Sequence, residues 1–170
     1  ENFKINGGQG SDGQVLTSTG SGVAWEDAAG GGPTSKTFGT SSIMIGDDAT
    51  GTIDAANFNT GVGVDVFAAL TTGDGNVAVG FKSLTGNTTG SNNTSVGDGA
   101  GYRITTGNDN TVLGNMEDYG GGAMTSSSNT FVGRSAGERN TTGNSNTYIG
   151  SLYGDLATTG NTNTGVGSSA

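Results

Sequence analysis

A glycine recurs every 17 residues through most of this chain, and that period limits what the chain can fold into. One step of 19 residues interrupts the period. The residue before each glycine is aliphatic, and the residue three before it is β-branched. A fixed period of this length predicts a repeat architecture in which each unit stacks on the next. The repeat glycines are Gly46, Gly63, Gly80, Gly97, Gly114, Gly133, Gly150 and Gly167.

The alternation before each glycine predicts a short, half-buried β-strand. Two fixed residue types flank a freely varying position, as expected when successive side chains point to opposite faces. We interpret the aliphatic and β-branched positions as inward-facing. An asparagine precedes the strand in seven repeats of eight, which suggests an amide ladder along the stack. The predicted core residues are Val62, Val79, Val96, Leu113, Val132, Ile149 and Val166.

A second mark, Thr-Thr-Gly, keeps the same register and first occurs at residues 71–73. We interpret it as the end of a second extended stretch followed by a turn. No segment has the apolar spacing of an amphipathic helix. The pattern therefore predicts an all-β fold, a parallel β-roll or β-solenoid of about eight 17-residue coils.

The first 40 residues lack the period. Residues 14–17 and 23–26 flank a Ser/Thr/Gly segment and predict a small β-hairpin. Residues 28–33 contain three glycines and the single proline, which indicates a linker. We therefore predict a small N-terminal hairpin unit with its linker over 1–40 and a repeat shaft over 41–170, continuing beyond the C-terminus.

Composition argues that one chain has too little core. Apolar residues make up 30% of the sequence, and 35 residues are glycine. Ordering the backbone costs roughly 1–2 kcal/mol per residue, which so few buried side chains would not offset. Wrapping identical chains about a common axis would bury the thin apolar face of each, and cyclic symmetry would close the assembly. We expect a homo-oligomer, most simply a trimer.

The charge and the missing residue types exclude several functions. The net charge is −9 with dispersed acidic residues, which disfavours binding to nucleic acid. The chain has no histidine and no cysteine, so the commonest general base and the commonest metal ligands are missing. No apolar stretch approaches the length of a membrane span. We therefore expect no enzymatic activity, no cofactor and no metal site.

The 19-residue step lies at residues 115–128 and interrupts the register once. A bulged loop on a rod is where recognition side chains could project, and the alternative is a tolerated insertion with no partner. The candidate receptor-contact residues are Met116, Glu117, Asp118 and Tyr119.

The threonines and aromatic residues suggest further binding functions. An ice-binding face needs threonines on one side of a strand in coil after coil, whereas the Thr-Thr doublets point to opposite faces. Because we also interpret the strand threonine as inward-facing, a structural role is favoured. Aromatic residues could stack on a surface glycan, but they share no single position in the repeat.

The units at residues 93–101 (Asn-Thr-Ser-Val-Gly-Asp-Gly-Ala-Gly) and 129–137 resemble the glycine-rich repeats of bacteriophage tail fibres. They are also similar to the head repeats of trimeric autotransporter adhesins, which form a trimeric left-handed parallel β-roll. Residues 13–25 resemble a short element of tail-fibre proteins. The resemblance implies a homotrimeric fibre segment, on a virion or otherwise extracellular, that mediates or supports attachment to a host receptor or glycan. The alternatives are a bacterial trimeric surface adhesin and a monomeric β-solenoid that binds ice or glycan.

Overall fold

The computed structural model describes residues 14–18, 23–27, 34–38, 41–46, 55–116, 122–152 and 158–168. The chain divides into two compact units, Glu1–Gly32 and Pro33–Ala170. In the first unit, β1 (Gln14–Ser18) pairs antiparallel with β2 (Val23–Asp27). The predicted linker, residues 28–33, lies outside the described residues.

The second unit contains one nine-stranded sheet whose strands follow chain order. An antiparallel strand, β3, precedes the parallel strands of the sheet and belongs to the second unit. The eight strands from β4 to β11 run parallel, and this confirms the predicted all-β solenoid. The strands are β3 (Thr34–Phe38), β4 (Ser42–Gly46), β5 (Thr60–Gly63), β6 (Val77–Val79), β7 (Thr94–Val96), β8 (Thr111–Leu113), β9 (Thr130–Val132), β10 (Thr147–Ile149) and β11 (Thr164–Val166).

The solenoid interior is built from the freely varying strand position and not from the fixed aliphatic one. The middle residue of every strand from β4 to β11 is buried, including Met44, Val112, Phe131 and Tyr148. The predicted inward orientation is therefore wrong for the single chain. Alternation with period two separates two faces, but it does not say which face is covered. Of the predicted core residues, Val79 and Val132 are half-buried and the others are exposed: Val62, Val96, Leu113, Ile149 and Val166.

The residue at the middle strand position can vary in size because a residue in the segment after the repeat glycine, which we call the corner, varies in the opposite sense. Gly61 lies beside Phe67, and a Cβ added at Gly61 would lie 3.1 Å from the Phe67 ring. Phe131 occupies the same strand position as Gly61, and there the compensating residue is Gly137, whose added Cβ would lie 2.6 Å from the Phe131 ring. Each coil thus fills its own cross-section with a different pair, as close packing requires.

The remaining core comes from the segments between strands, where the chain returns to the sheet. Val66, Phe67 and Leu70 fill one coil, and Ala100 and Ile104 fill another. Stacked aromatic rings continue the core near the C-terminal end: the Phe131 and Tyr148 centroids are 5.5 Å apart and the planes differ by 8°.

Close stacking of the backbone requires glycine both at the repeat-glycine position and in Thr-Thr-Gly. Gly97 has φ of 135°, and a Cβ there would overlap the carbonyl oxygen of Gly114 in the next coil. Gly90, in Thr-Thr-Gly, would overlap the carbonyl of Gly107 in the same way. Glycine is therefore needed at the corner for its backbone conformation and for space, and at the turn for space alone.

The predicted asparagine ladder is confirmed, and it runs through the interior. Asn93 is fully buried, and its Oδ1 accepts the backbone N–H and the Nδ2–H of Asn110, each at 3.0 Å. Its own Nδ2 donates to Asn76 Oδ1 at 3.1 Å and to the Gly107 carbonyl at 2.9 Å. Each asparagine thereby satisfies buried backbone groups in the neighbouring coils, which would otherwise cost free energy.

Two further ladders were not predicted. The first threonine of Thr-Thr-Gly bonds along the stack: Thr88 Oγ1 donates to the Thr105 carbonyl at 3.0 Å. On the surface, Asn108 Oδ1 accepts the backbone N–H of Ser91 at 2.8 Å, and the Asn108 N–H donates to Ser127 Oγ at 2.9 Å. These contacts give the first threonine of Thr-Thr-Gly and the turn residues a structural role.

Candidate interaction surface

We define the outward face as the side chains of two residue rows on the parallel sheet, separated by the buried middle position. In-register pairing aligns Thr94 with Thr111 and Val96 with Leu113, so both rows run along the stack. Neighbouring strands lie about 4.8 Å apart, which sets the spacing within each row. The β-branched row is Ile43, Thr60, Val77, Thr94, Thr111, Thr130, Thr147 and Thr164, and the aliphatic row is Ile45, Val62, Val79, Val96, Leu113, Val132, Ile149 and Val166.

The aliphatic row of the outward face is an exposed apolar stripe on an acidic protein. Val62, Val96 and Ile149 expose 40%, 39% and 39% of their surface, and Val166 exposes 72%. Neither row contains a charged residue, although the chain carries a net charge of −9. Scattered exposed apolar residues are ordinary, but a contiguous stripe of them marks an interaction surface.

Of the predicted receptor-contact residues, Met116 does not project. It is 8% exposed and belongs to the hydrophobic core, so this prediction is wrong. The chain still follows the repeat there, because the Met116 N–H donates to the Asp98 carbonyl at 3.1 Å. The other three, Glu117, Asp118 and Tyr119, lie outside the described residues.

The extra residues are accommodated between Met116 and Met124. Met124 forms a parallel bridge with Ile104, and its N–H donates to the Arg103 carbonyl at 2.7 Å. Buried Arg103 supports this segment: its Nε donates to the Gly122 carbonyl at 2.7 Å, and its guanidinium also contacts the Glu138 carbonyl. Sequence reasoning missed this role of Arg103, since a single arginine carries no periodic signal.

A shallow notch lies beside the insertion. Its volume is about 210 Å³, and its lining comes from three successive coils. It forms where Gly99 provides no side chain between Lys82 and Met116, which occupy the same position in the adjacent coils. The Lys82 ammonium lies 5.0 Å from the Phe81 ring, at the edge of the notch. The lining residues are Lys82, Asp98, Gly99, Tyr102 and Met116.

Other site classes find no support in the part of the chain that the structure describes. That part contains no cluster of three or more His, Cys, Asp or Glu residues that could hold a metal ion. It also contains no helix that is long and apolar enough to cross a membrane. No protein-family model, curated protein or solved structure matches the chain. The outward face is therefore the candidate functional surface, on physical grounds alone.

Proposed function

We propose that this chain is a structural segment of an extracellular trimeric fibre, of the bacteriophage tail-fibre type, that supports attachment to a host surface. The observation that carries the proposal is the stack of in-register coils. Backbone hydrogen bonds and the buried asparagine ladder join each coil to the next, as at Asn93 and Asn110. Such a stack lengthens by about 4.8 Å with each added coil, which is the property a shaft requires.

The trimeric part of the proposal rests on the balance between core and surface. Several coils place glycine, alanine or serine at the buried strand position, as at Gly61, Ala78 and Ser95. Meanwhile the larger aliphatic residues of the same strands lie on the outward face. Partner chains would bury this apolar surface and add stability that the thin interior does not supply.

The proposal includes no catalytic role and no cofactor. The positions that repeat are glycine, asparagine, threonine and aliphatic residues, and their contacts are structural. The resemblance of residues 93–101 and 129–137 to tail-fibre repeats supports a location on a virion. A bacterial trimeric surface adhesin would share the architecture, and a membrane anchor in the flanking sequence would identify it.

The outward face also favours a second candidate, a monomeric β-solenoid that binds ice. We expected the strand threonines to face inward, but the structure places them on the outward face. Thr94 and Val96 therefore form part of a regular two-column array that repeats in each coil. An array of hydroxyl and methyl groups at constant spacing could match an ordered water lattice. This function needs the face free of partner chains.

Oligomeric state separates the two candidates. We would measure the mass of the full chain in solution by sedimentation and image it by negative-stain electron microscopy. A trimeric rod is the expected result. A folded monomer over the whole concentration range, together with thermal hysteresis in a freezing assay, would refute the fibre proposal and support the ice-binding one.

A further inference from the structure

We propose that the outward face is the surface through which copies of this chain pack around their common axis, parallel and in register. The occupant of the face is a second copy of the same chain. This inference rests on the proposed trimeric fibre and adds to it the contact surface and the relative register of the chains.

Charge favours the outward face over the other sides of the coil. The two rows carry no charged residue, whereas the other sides carry charges of both signs, among them Asp65, Lys82, Asp98 and Arg134 after the repeat glycines. Two copies that met through those sides would have to remove these charges from water, which costs free energy. Contact through the outward face leaves the acidic side chains in solvent, where water and salt screen them.

The spacing of the rows favours a second copy over an unrelated partner. Both rows repeat at the strand separation, about 4.8 Å, along the whole parallel sheet. An identical chain presents the same rows at the same spacing, so its side chains match at every coil. In a cyclic assembly of parallel chains, symmetry places the same residue of each copy at the same height on the axis. Val96 would thus face Val96 of the neighbouring copies.

The area of the face depends on the number of stacked coils. Eight strands of three residues form a face of about 38 Å by 10 Å, or about 400 Å² per chain. Three copies would bury about 1,200 Å² in total, shared among three pairwise contacts of about 400 Å² each, which is below the usual size of a specific two-chain interface. Because each coil contributes an equal share, association should strengthen as coils are added.

Single cysteines test which face meets the neighbouring chain. The chain has no native cysteine, so an introduced thiol can only link two copies. The test variant is Val96→Cys, and the matched control is Thr106→Cys, which lies in the same coil and is exposed on another side. The full chain would be treated with a short bismaleimide and analysed on a denaturing gel. Because neighbours hold facing thiols at high effective concentration, we expect at least about tenfold more covalent dimer for Val96→Cys.

A charge variant gives an independent measurement. Val96→Lys combined with Ile149→Lys places four-carbon ammonium side chains on the outward face, and Thr106→Lys combined with Thr159→Lys adds the same charge elsewhere on the surface. We expect the first pair to lower the sedimenting mass and the second to leave it unchanged. If the first pair of substitutions unfolds the chain, the cysteine experiment still identifies the contact face, because a single cysteine is a smaller change than two lysines.

The outcomes separate this inference from the proposed function. A trimer that cross-links at Thr106→Cys and not at Val96→Cys would overturn the assignment of the face and leave the fibre proposal standing. A wild-type chain that is monomeric at all concentrations would overturn both. A chain whose cross-linking requires Val96→Cys, and whose mass falls with the charged outward face, supports both.

Discussion

The buried asparagine ladder provides the sharpest stability prediction. Replacing Asn93 with alanine removes its side-chain amide and deprives three groups of their partner: the Asn110 backbone N–H, one Asn110 amide N–H and the Gly107 carbonyl. Each buried polar group left without a partner costs about 1–3 kcal/mol. For three groups we therefore expect the free energy of unfolding to fall by about 3–9 kcal/mol.

The matched control is Asn108→Ala in the following turn. Asn108 is exposed, and its Oδ1 accepts one hydrogen bond, from the Ser91 N–H. Water can replace that bond, so we expect a loss of at most about 1 kcal/mol. Both variants would be unfolded in urea at equal protein concentration, with circular dichroism as the readout. Equal midpoints for Asn93→Ala and Asn108→Ala would refute the idea that the interior ladder stabilises the stack.

Three further predictions follow from the packing, each measured by the same urea titration. Gly97→Ala should lower the free energy of unfolding by at least about 3 kcal/mol, because Gly97 has a positive φ and an added Cβ would overlap the next coil. The control is Gly122→Ala, whose Cβ meets nothing nearer than 3.5 Å, and an equal loss in both variants would contradict the stacking explanation. Gly61→Phe and Phe67→Gly should each lower the free energy of unfolding by about 2–4 kcal/mol, and the double variant should recover most of that loss. If the losses of the two single variants simply add in the double variant, the proposed volume compensation is wrong. Thr88→Val should cost about 1 kcal/mol through the lost bond to Thr105, whereas exposed Thr89→Val should be neutral, and the reverse order would exclude the threonine ladder.

The sequence was sufficient to predict the stack but not the side of the strand that faces inward. The 17-residue spacing specified the strands, their parallel order and the interior ladder, because each of these depends on the period alone. The inward face depends on which segment covers the sheet, and that segment lies in the variable part of each repeat. The pairs Gly61–Phe67 and Phe131–Gly137 were visible in the sequence, and their opposite sizes were the signal for a shared interior.

Met116 shows a second limit of reasoning from the period. The spacing of the repeat glycines locates the insertion, but it does not show at which residue the chain leaves the stack. The structure keeps Met116 in register through its bond to Asp98 and restores the register at Met124. Local hydrogen bonds decide such a position, and Arg103 supplies one of them from a coil away.

In this solenoid the buried middle position of the strand varies from coil to coil, whereas the outward position before each repeat glycine is always aliphatic. Variation inside is tolerated because each coil fills its own cross-section, as Phe67 and Gly137 show. The uniform glycines and asparagines are explained by contacts between coils. The aliphatic residues of the outward face lie in register with one another, yet Val96 still exposes 39% of its surface, and this apolar area is available to a partner. We propose that the regular apolar row serves contact with an identical neighbour, whose rows have the same spacing and would match it at every coil.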